Sequence, residues 1–382
     1  MEKRPLLSIV VPTKNRYIYL KELIKLVKGF NEPEIELVIQ DNSDDNTEIL
    51  GFLEDLKFDG VKYFYDKRNI PATENADKAI LNSTGEYVCF IGDDDGIMHW
   101  IVTAVEYMKR KGIDSLIANK PNYLWPDIKS AVVDCAGTLD IILPTSKIRQ
   151  IDVLKELNIV QHKGFLTMGN LPRVYHGIIK RDALNTLYEQ TGTFFPGPCP
   201  DMSNAVGLSY IVKKHIVFDF PIIISGAGYN SAAGMGARHK HSAKISEVSF
   251  LPKNTEDEWE RTIPKYWLPQ TIWPNTAIKA LRNTGHSNMV NNTNFAMIYG
   301  AIIAFNPKMF GIVLPYINLK NFVRILFYIV YFVCERARFL LRNIITRRFT
   351  KFGKVKKIQS LSDIIDAERY LSNNYHSSLL QV

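Results

Sequence analysis

Between residues 6 and 95, short β-branched runs alternate with stretches whose apolar residues recur at helical spacing, and few folds accept that alternation. Leu6-Leu7-Ser8-Ile9-Val10-Val11-Pro12 reads as a buried strand stopped by a proline. From Tyr17 to Val27, Leu20, Leu23, Ile24 and Val27 mark one helical face. Glu36–Gln40 reads as a second strand, with Ser43 or Asp44 placed to cap a helix running through Phe52. Val61–Tyr65 makes a third strand, Thr73–Leu81 a helix, and Tyr87–Ile91 a fourth strand. Strand–helix alternation of this kind predicts an α/β fold with a mostly parallel sheet covered on both faces.

Three polar clusters then fall where strands end: Pro12–Arg16, Asp41–Asp45 and Asp93–Asp95. In open α/β sheets the carboxyl ends of strands are where ligands bind. Asp93, Asp94 and Asp95 follow Gly92 and precede Gly96, and three adjacent carboxylates repel one another. They suit a hard divalent cation with oxygen ligands, Mg²⁺ or Mn²⁺. An acidic turn capping a helix uses the same residues. Neither a GxGxxG nor a GxxxxGKS loop is present, so backbone amides do not cradle phosphate as in dinucleotide or P-loop folds. A cation on the Asp triplet would meet the diphosphate instead.

Ser8-Ile9-Val10-Val11-Pro12-Thr13-Lys14-Asn15-Arg16, Asp41-Asn42-Ser43-Asp44-Asp45-Asn46-Thr47, and Gly85-Glu86-Tyr87-Val88 leading to the Asp triplet resemble family 2 glycosyltransferases. The resemblance is dense over residues 6–96 and looser to about residue 242. It implies a GT-A nucleotide-sugar-binding fold (a Rossmann-like, mostly parallel sheet), a nucleotide-sugar donor such as a UDP-sugar, a divalent metal, and transfer with inversion. By position it implies that Pro12, Thr13, Asn15 and Arg16 line the nucleotide pocket, that Asp41 contacts the base, and that Asn69 lies beside it. The triplet corresponds to the family's DxD motif: Asp93 and Asp95 fit it literally as metal ligands, and Asp94 fits a longer form of the motif that also reaches the nucleotide-sugar.

Further on, Val174 to Leu184 reads as a strand passing into a helix, and the loop Phe194–Pro200 holds three prolines and ends at Asp201. Inverting transfer needs a base for the acceptor hydroxyl, and Asp201 stands where family members carry that carboxylate. A helix-capping Asp is the alternative. Ile216–Ser225 reads as one more strand. The glycine-rich stretch from Gly226 to His241 follows, suited to closing over a donor, with His239 or His241 placed for the metal or diphosphate. Trp125 beside Pro126 reads as a packing anchor.

Charge is placed unevenly. Residues 316–382 hold twelve Lys/Arg against four Asp/Glu, while the remainder holds 35 of each sign. A nucleic-acid enzyme spreads basic residues around its cleft, so no nucleic-acid partner is expected. Four cysteines without a CxxC pair argue against zinc or a disulfide framework and for a reducing compartment. No apolar leader precedes the first strand, which points to the cytoplasm. Asn318–Asn343 reads as a helix with only ten uncharged residues between Arg324 and Glu335, too few to span a bilayer, which takes about 20. Residues 336–357 then carry nine Lys/Arg and no acid, which suits peripheral binding to an anionic membrane through residues 318–357, as against an ordinary core helix with a basic end. The same apolar stripe could pair two copies into a homo-oligomer.

The sequence thus divides into a catalytic domain (1–242), a helical acceptor-side extension (243–315) carrying Trp259, Trp267 and Trp273, and a basic helical tail (316–382). It reads as a metal-dependent inverting glycosyltransferase acting on a glycan or lipid-linked acceptor in bacterial surface polysaccharide synthesis. A nucleotidyltransferase, or a non-catalytic sugar- or lipid-binding scaffold on the same fold, are the rivals.

Overall fold

A computed structural model describes residues 4–128, 136–231, 234, 242–348 and 355–375. The first half runs β1 (Leu7–Thr13), α1 (Tyr17–Phe30), β2 (Ile35–Asp41), α2 (Thr47–Leu56), β3 (Val61–Tyr65), α3 (Ala72–Leu81), β4 (Tyr87–Phe90), β5 (Gly96–Ile97), α4 (Ile101–Lys111), β6 (Ser115–Ala118), β7 (Asn122–Leu124), β8 (Thr138–Ile142), β9 (Ile148–Ile151) and α5 (Val153–His162). It continues through β10 (Gly177–Lys180), α6 (Arg181–Thr191), α7 (Pro200–Leu208), β11 (His215–Phe218), β12 (Ile223–Ala227), α8 (Pro269–Asn283), α9 (Phe295–Phe305), α10 (Phe322–Arg348), β13 (Val355–Ile358) and α11 (Ile364–Asn374). The expected alternation is therefore present through β4. The cap of α2 differs, because Ser43 is engaged by the first loop and the helix begins only after Asn46.

The main sheet has the order β3-β2-β1-β4-β10-β6-β11-β9. Its first four strands are parallel, and β10 runs antiparallel between β4 and β6. β1, β2 and β4 are buried along nearly their whole length, as strands covered on both faces must be. On one face α1 lays Leu20, Leu23, Ile24 and Val27 into the core, each burial contributing about 1.5–3 kcal/mol. A smaller second sheet, β13-β8-β7-β12-β5, stands beside the carboxyl edge.

One strand expected over residues 216–225 is two. β11 belongs to the main sheet and β12 to the small one, and the chain changes sheets at Asp219–Ile222, where Pro221 cannot donate to a ladder.

Packing crosses the boundaries expected at 242 and 315. A second core joins Leu157 and Val160 of α5, Phe165, and Met202 and Val206 of α7 to Trp259, Trp267, Ile278, Ile298 and Ile325. The region after 242 is thus the floor under the helix that carries Asp201. α10 lies along α9, where Gly300 admits it: a Cβ there would come within 2.6 Å of Tyr328 Cβ. The chain then returns to the first domain. β13 adds to β8, and α11 buries Ile364, Ala367 and Leu371 in the core beneath α1 and β5. Residues 355–375 are structurally part of the first domain, while α10 before them exposes Val323, Phe327, Val330 and Val333. No helix among the described residues is long and apolar enough to cross a membrane.

Candidate active site

β4 ends at Phe90, and the next four residues close a turn in which Gly92 N donates to Asp95 Oδ2 (2.7 Å) and Asp95 N to Gly92 O (3.2 Å). A side chain at Gly92 would crowd Asp94 Oδ1, so the turn needs glycine. The turn brings Asp93, Asp94 and Asp95 together, all buried, at the carboxyl edge of the sheet.

Each carboxylate has a different set of partners. Asp93 Oδ2 accepts from Thr13 Oγ1 (2.6 Å) and Arg16 Nε (3.1 Å). Its Oδ1 lies 2.9 Å from Arg16 Nη2, close enough for an ion pair but not aligned as a hydrogen bond. Asp95 is fully engaged: Oδ1 accepts from Gly226 N (2.8 Å), and Oδ2 from Gly92 N and His176 Nε2 (2.6 Å). Asp94 Oδ2 accepts from Gly228 N (2.9 Å), whereas Oδ1 has only Arg16 Nη1 at 3.9 Å. The open oxygens are therefore Asp93 Oδ1 and Asp94 Oδ1.

Burial raises the Asp93 carboxyl above the ordinary range despite Arg16 and Thr13. Burial and the neighbouring Asp95 charge push Asp94 up to about 7. Asp95 goes the other way: burial opposes its charge, but His176 outweighs that and holds it low. Arg16 answers them. Burial would lower its pKa, yet Asp93 and Asp94 raise it.

The other residues expected at the site take varied positions. Asn15 sits at φ 55°, its N donating to Ser43 Oγ (2.7 Å) and its amide paired with Asp44 through Nδ2 (2.9 Å) and Oδ1 (3.0 Å). It fastens the first cluster to the second. Pro12 lies opposite Gln40 in the β1–β2 ladder. Asp41 is fully buried, and Tyr17 Oη (2.6 Å), Tyr63 Oη (2.7 Å) and Ser43 N (2.8 Å) all donate to it. Asn69 is on the surface and accepts from Lys14 Nζ at 2.7 Å. Asp201 occupies the first turn of α7, one residue after the helix-opening Pro200, and the cap position is held by Cys199. Its Oδ1 accepts from Met202 N (2.7 Å) and Cys199 Sγ (2.9 Å). Asp201 and the triplet act on the same groups: Tyr175 and Lys120 both feel Asp95 and Asp201. His239 and His241 lie outside the described residues.

Several residues that complete the site were given no site role in the sequence reading. His176, at φ 56°, bridges Lys120 and Asp95. A charged Lys120 donating to Nδ1 leaves the ring proton on Nε2, from which it donates to Asp95. Trp125 is buried as an anchor should be, and its Nε1 donates to Asp94 O (2.8 Å), so it holds the triplet's backbone. Gly226 allows the closest approach of all, since a Cβ there would fall 1.7 Å from Asp94 O. Lys120 follows the carboxyl end of β6 and could have been found by the rule that found the triplet. The segment before β10 hid from that rule because β10 is antiparallel, so its amino end lies at the ligand edge.

An open pocket of about 490 Å³ adjoins the triplet, lined by Asn15, Arg16, Ile18, Tyr19, Asp127, Tyr229 and Asn230. A larger one, about 850 Å³, lies at the opposite edge of the sheet. Its buried charges, Glu36 and Arg181, are already bonded within the protein, so the chemistry belongs at the carboxyl edge.

No three His, Cys, Asp or Glu side chains among the described residues converge as a complete metal cage. Two open carboxylate oxygens in a cluster with surplus negative charge nevertheless fit a hard cation. Mg²⁺-like ions bind through one or two carboxylates and take their remaining ligands from substrate phosphate and water.

A Rossmann-like sheet with a carboxylate triplet at its switch-point edge defines a GT-A nucleotide-sugar fold. Residues 8–162 match the family model described as "Glycosyl transferase family 2". A curated relative, GalNAc(5)-diNAcBac-PP-undecaprenol beta-1,3-glucosyltransferase of Campylobacter jejuni, is 28% identical over 118 residues, 30% of this chain. The match spans 38% of that relative's length. In fold, the chain is similar to S. aureus TarS residues 1–349, crystallised with UDP-GlcNAc, at 16% identity and a TM-score of 0.50, covering 82% of this chain and 76% of that one.

The Asp94 shift carries a pH prediction. Its folded pKa lies above the ordinary carboxylate value, so between about pH 4 and 7 the folded state binds the extra proton and loses stability as pH rises. In metal-free buffer, Asp94→Asn should therefore melt above the parent at pH 8, with the gap closing near pH 4. Calorimetric melting across that range checks this, and a gap independent of pH would contradict it.

Proposed function

We propose that the protein moves a sugar from a nucleoside diphosphate donor, with UDP-sugars the first to test, onto a hydroxyl of a glycan or lipid-linked acceptor, inverting the anomeric carbon. The observation that carries this reading is a buried, partly uncompensated Asp triplet together with a second carboxylate, Asp201, that acts on the same groups, Tyr175 and Lys120. Pro12, Thr13, Asn15 and Arg16 form the loop on the nucleotide side. Asp41 stiffens its floor through Tyr17 and Tyr63, with Asn69 at the rim.

Asp93 and Asp94 would hold Mn²⁺ or Mg²⁺ through their open oxygens, and Asp95 would anchor the turn. When bound, such an ion neutralises charge on the departing diphosphate. Arg16, already ion-paired at the site, contributes a fixed positive charge beside it. As the acceptor oxygen bonds to the anomeric carbon, the bond from that carbon to the diphosphate breaks and the hydroxyl proton passes to Asp201. His239 and His241 remain candidates for contact with the metal or diphosphate.

The printed name of the Campylobacter relative includes a diphosphate-undecaprenol acceptor, which supports a lipid-linked substrate in a bacterial envelope. The exposed apolar side chains of α10, with Phe327 64% and Val323 72% exposed, support a surface that rests on an anionic membrane. Paired Phe327→Ser and Val330→Ser changes should release the protein from phosphatidylglycerol vesicles in sedimentation. Unchanged sedimentation would remove the membrane from the reading, and a fall in molecular mass would assign the face to self-association.

Transfer is tested with Asp201→Asn. Removing a general base lowers turnover by about 10²–10⁴-fold. The variant should lose transfer by that factor in a nucleotide-sugar screen while binding the nucleoside diphosphate as before. Full activity in the variant would leave a binding scaffold as the better account. Release of pyrophosphate would indicate a nucleotidyltransferase.

A further inference from the structure

Among the described residues neither Lys120 nor Arg173 has a carboxylate within ion-pair distance. Arg173 Nη1 donates to the carbonyl oxygens of Gly169 (3.2 Å) and Leu171 (3.0 Å), and Lys120 donates to His176. Burial lowers the pKa of both, Lys120 to about 8. Both side chains are partly buried, and a partly desolvated cation with no carboxylate in contact is less stable than a paired one.

Their placement narrows that use. Arg173 opens the segment Arg173–His176, which lies against the end of β4 through His176 N to Phe90 O (3.0 Å). That segment is fastened to α7 by Val174 N donating to Asn204 Oδ1 (2.9 Å), and Asn204 stands one turn beyond Asp201. Gly177 makes the tight fold possible, since a Cβ there would fall 2.2 Å from Arg173 O. Lys120 reaches the cluster from β6, and through His176 it touches Asp95. Asp201 favours the charged form of both cations, and Arg173 opposes the charge on Lys120. The pair therefore sits beside the proposed base. Arg16, the cation at the nucleotide side, is separately occupied by Asp93.

We propose that Lys120 and Arg173 pair with a phosphate group on the acceptor, next to the hydroxyl that attacks, so that the substrate is a phosphate-bearing glycan or carrier. The assignment rests on the glycosyltransferase reading for calling this the acceptor side. A guanidinium fork and an ammonium together match a tetrahedral dianion or diester better than a single carboxylate, which one arginine satisfies.

Inorganic phosphate is the probe, titrated calorimetrically into the full chain saturated with uridine diphosphate and Mg²⁺, with acetate as the carboxylate control. Phosphate should bind alongside the nucleotide. Loss of a charge-assisted contact in Arg173→Gln or Lys120→Gln should weaken it about tenfold or more. Arg173→Lys should recover part of the loss, and uridine diphosphate affinity should stay unchanged in both Arg173 variants, which also shows that they fold. Phosphate displaced by the nucleotide, equal binding to the parent and both Gln variants, or acetate binding as well as phosphate would each overturn the proposal. If the parent binds no uridine diphosphate while phosphate affinity still follows Arg173, the donor reading falls and the anion site stands.

Discussion

Three carboxylates are packed side by side at the end of a strand that is itself sealed from water, and the surrounding structure is arranged to make that tolerable. The compensating groups come from different parts of the chain. Arg16 arrives from the loop after β1, His176 from the segment before β10, and the Gly226 and Gly228 amides from the end of β12. Withdrawing Arg16 would leave Asp93 without the cation it pairs with, a change that costs several kcal/mol. Compensation is nonetheless incomplete, since burial keeps both Asp93 and Asp94 above their ordinary pKa. The cluster thus keeps surplus negative charge, which a cation would neutralise.

That requirement explains features remote from the nucleotide motifs. The small sheet exists to deliver the Gly226–Gly228 amides and the Trp125 indole to the backbone and side chains of Asp94 and Asp95. Its far edge is β13, from the last part of the chain, and α11 then packs Ile364 against Gly96, directly after the triplet. The exposed apolar helix α10 is thus tied at both ends to the catalytic body: Ile325 enters the second core, and β13 enters the sheet that supports the site. A contact made by α10 would act on a helix whose two anchors lead to Asp201 on one side and the triplet on the other.

Much of the nucleotide side was legible in the sequence because it is local. Strand, polar loop and helix succeed one another within a few residues, so Thr13, Arg16, Asp41 and Asp93–Asp95 could be placed at strand ends by counting. The group around Lys120, Arg173 and His176 was less legible because it is assembled over distance. Lys120 comes from the loop after β6 and Arg173 and His176 from the segment before β10, and the antiparallel insertion of β10 reverses which end of a strand faces the ligand. Asp41 is instructive in another way. The sequence places it correctly at a strand end but does not reveal that two tyrosines enclose it, since Tyr17 and Tyr63 also fit a plain apolar pattern. The return of residues 355–375 to the first domain was likewise invisible, because the polar sequence around α11 shows little of the Ile364–Ala367–Leu371 stripe it buries.

The account stands on the Asp triplet being a metal-assisted nucleotide site, and calorimetric titration of uridine diphosphate with and without Mn²⁺ tests that most directly. Binding to the parent that strengthens at least tenfold with the ion, and an Asp94→Ala variant in which the ion makes no difference, is the predicted result. Nucleotide affinity that ignores both the ion and Asp94, or no binding of any nucleoside diphosphate, would contradict it.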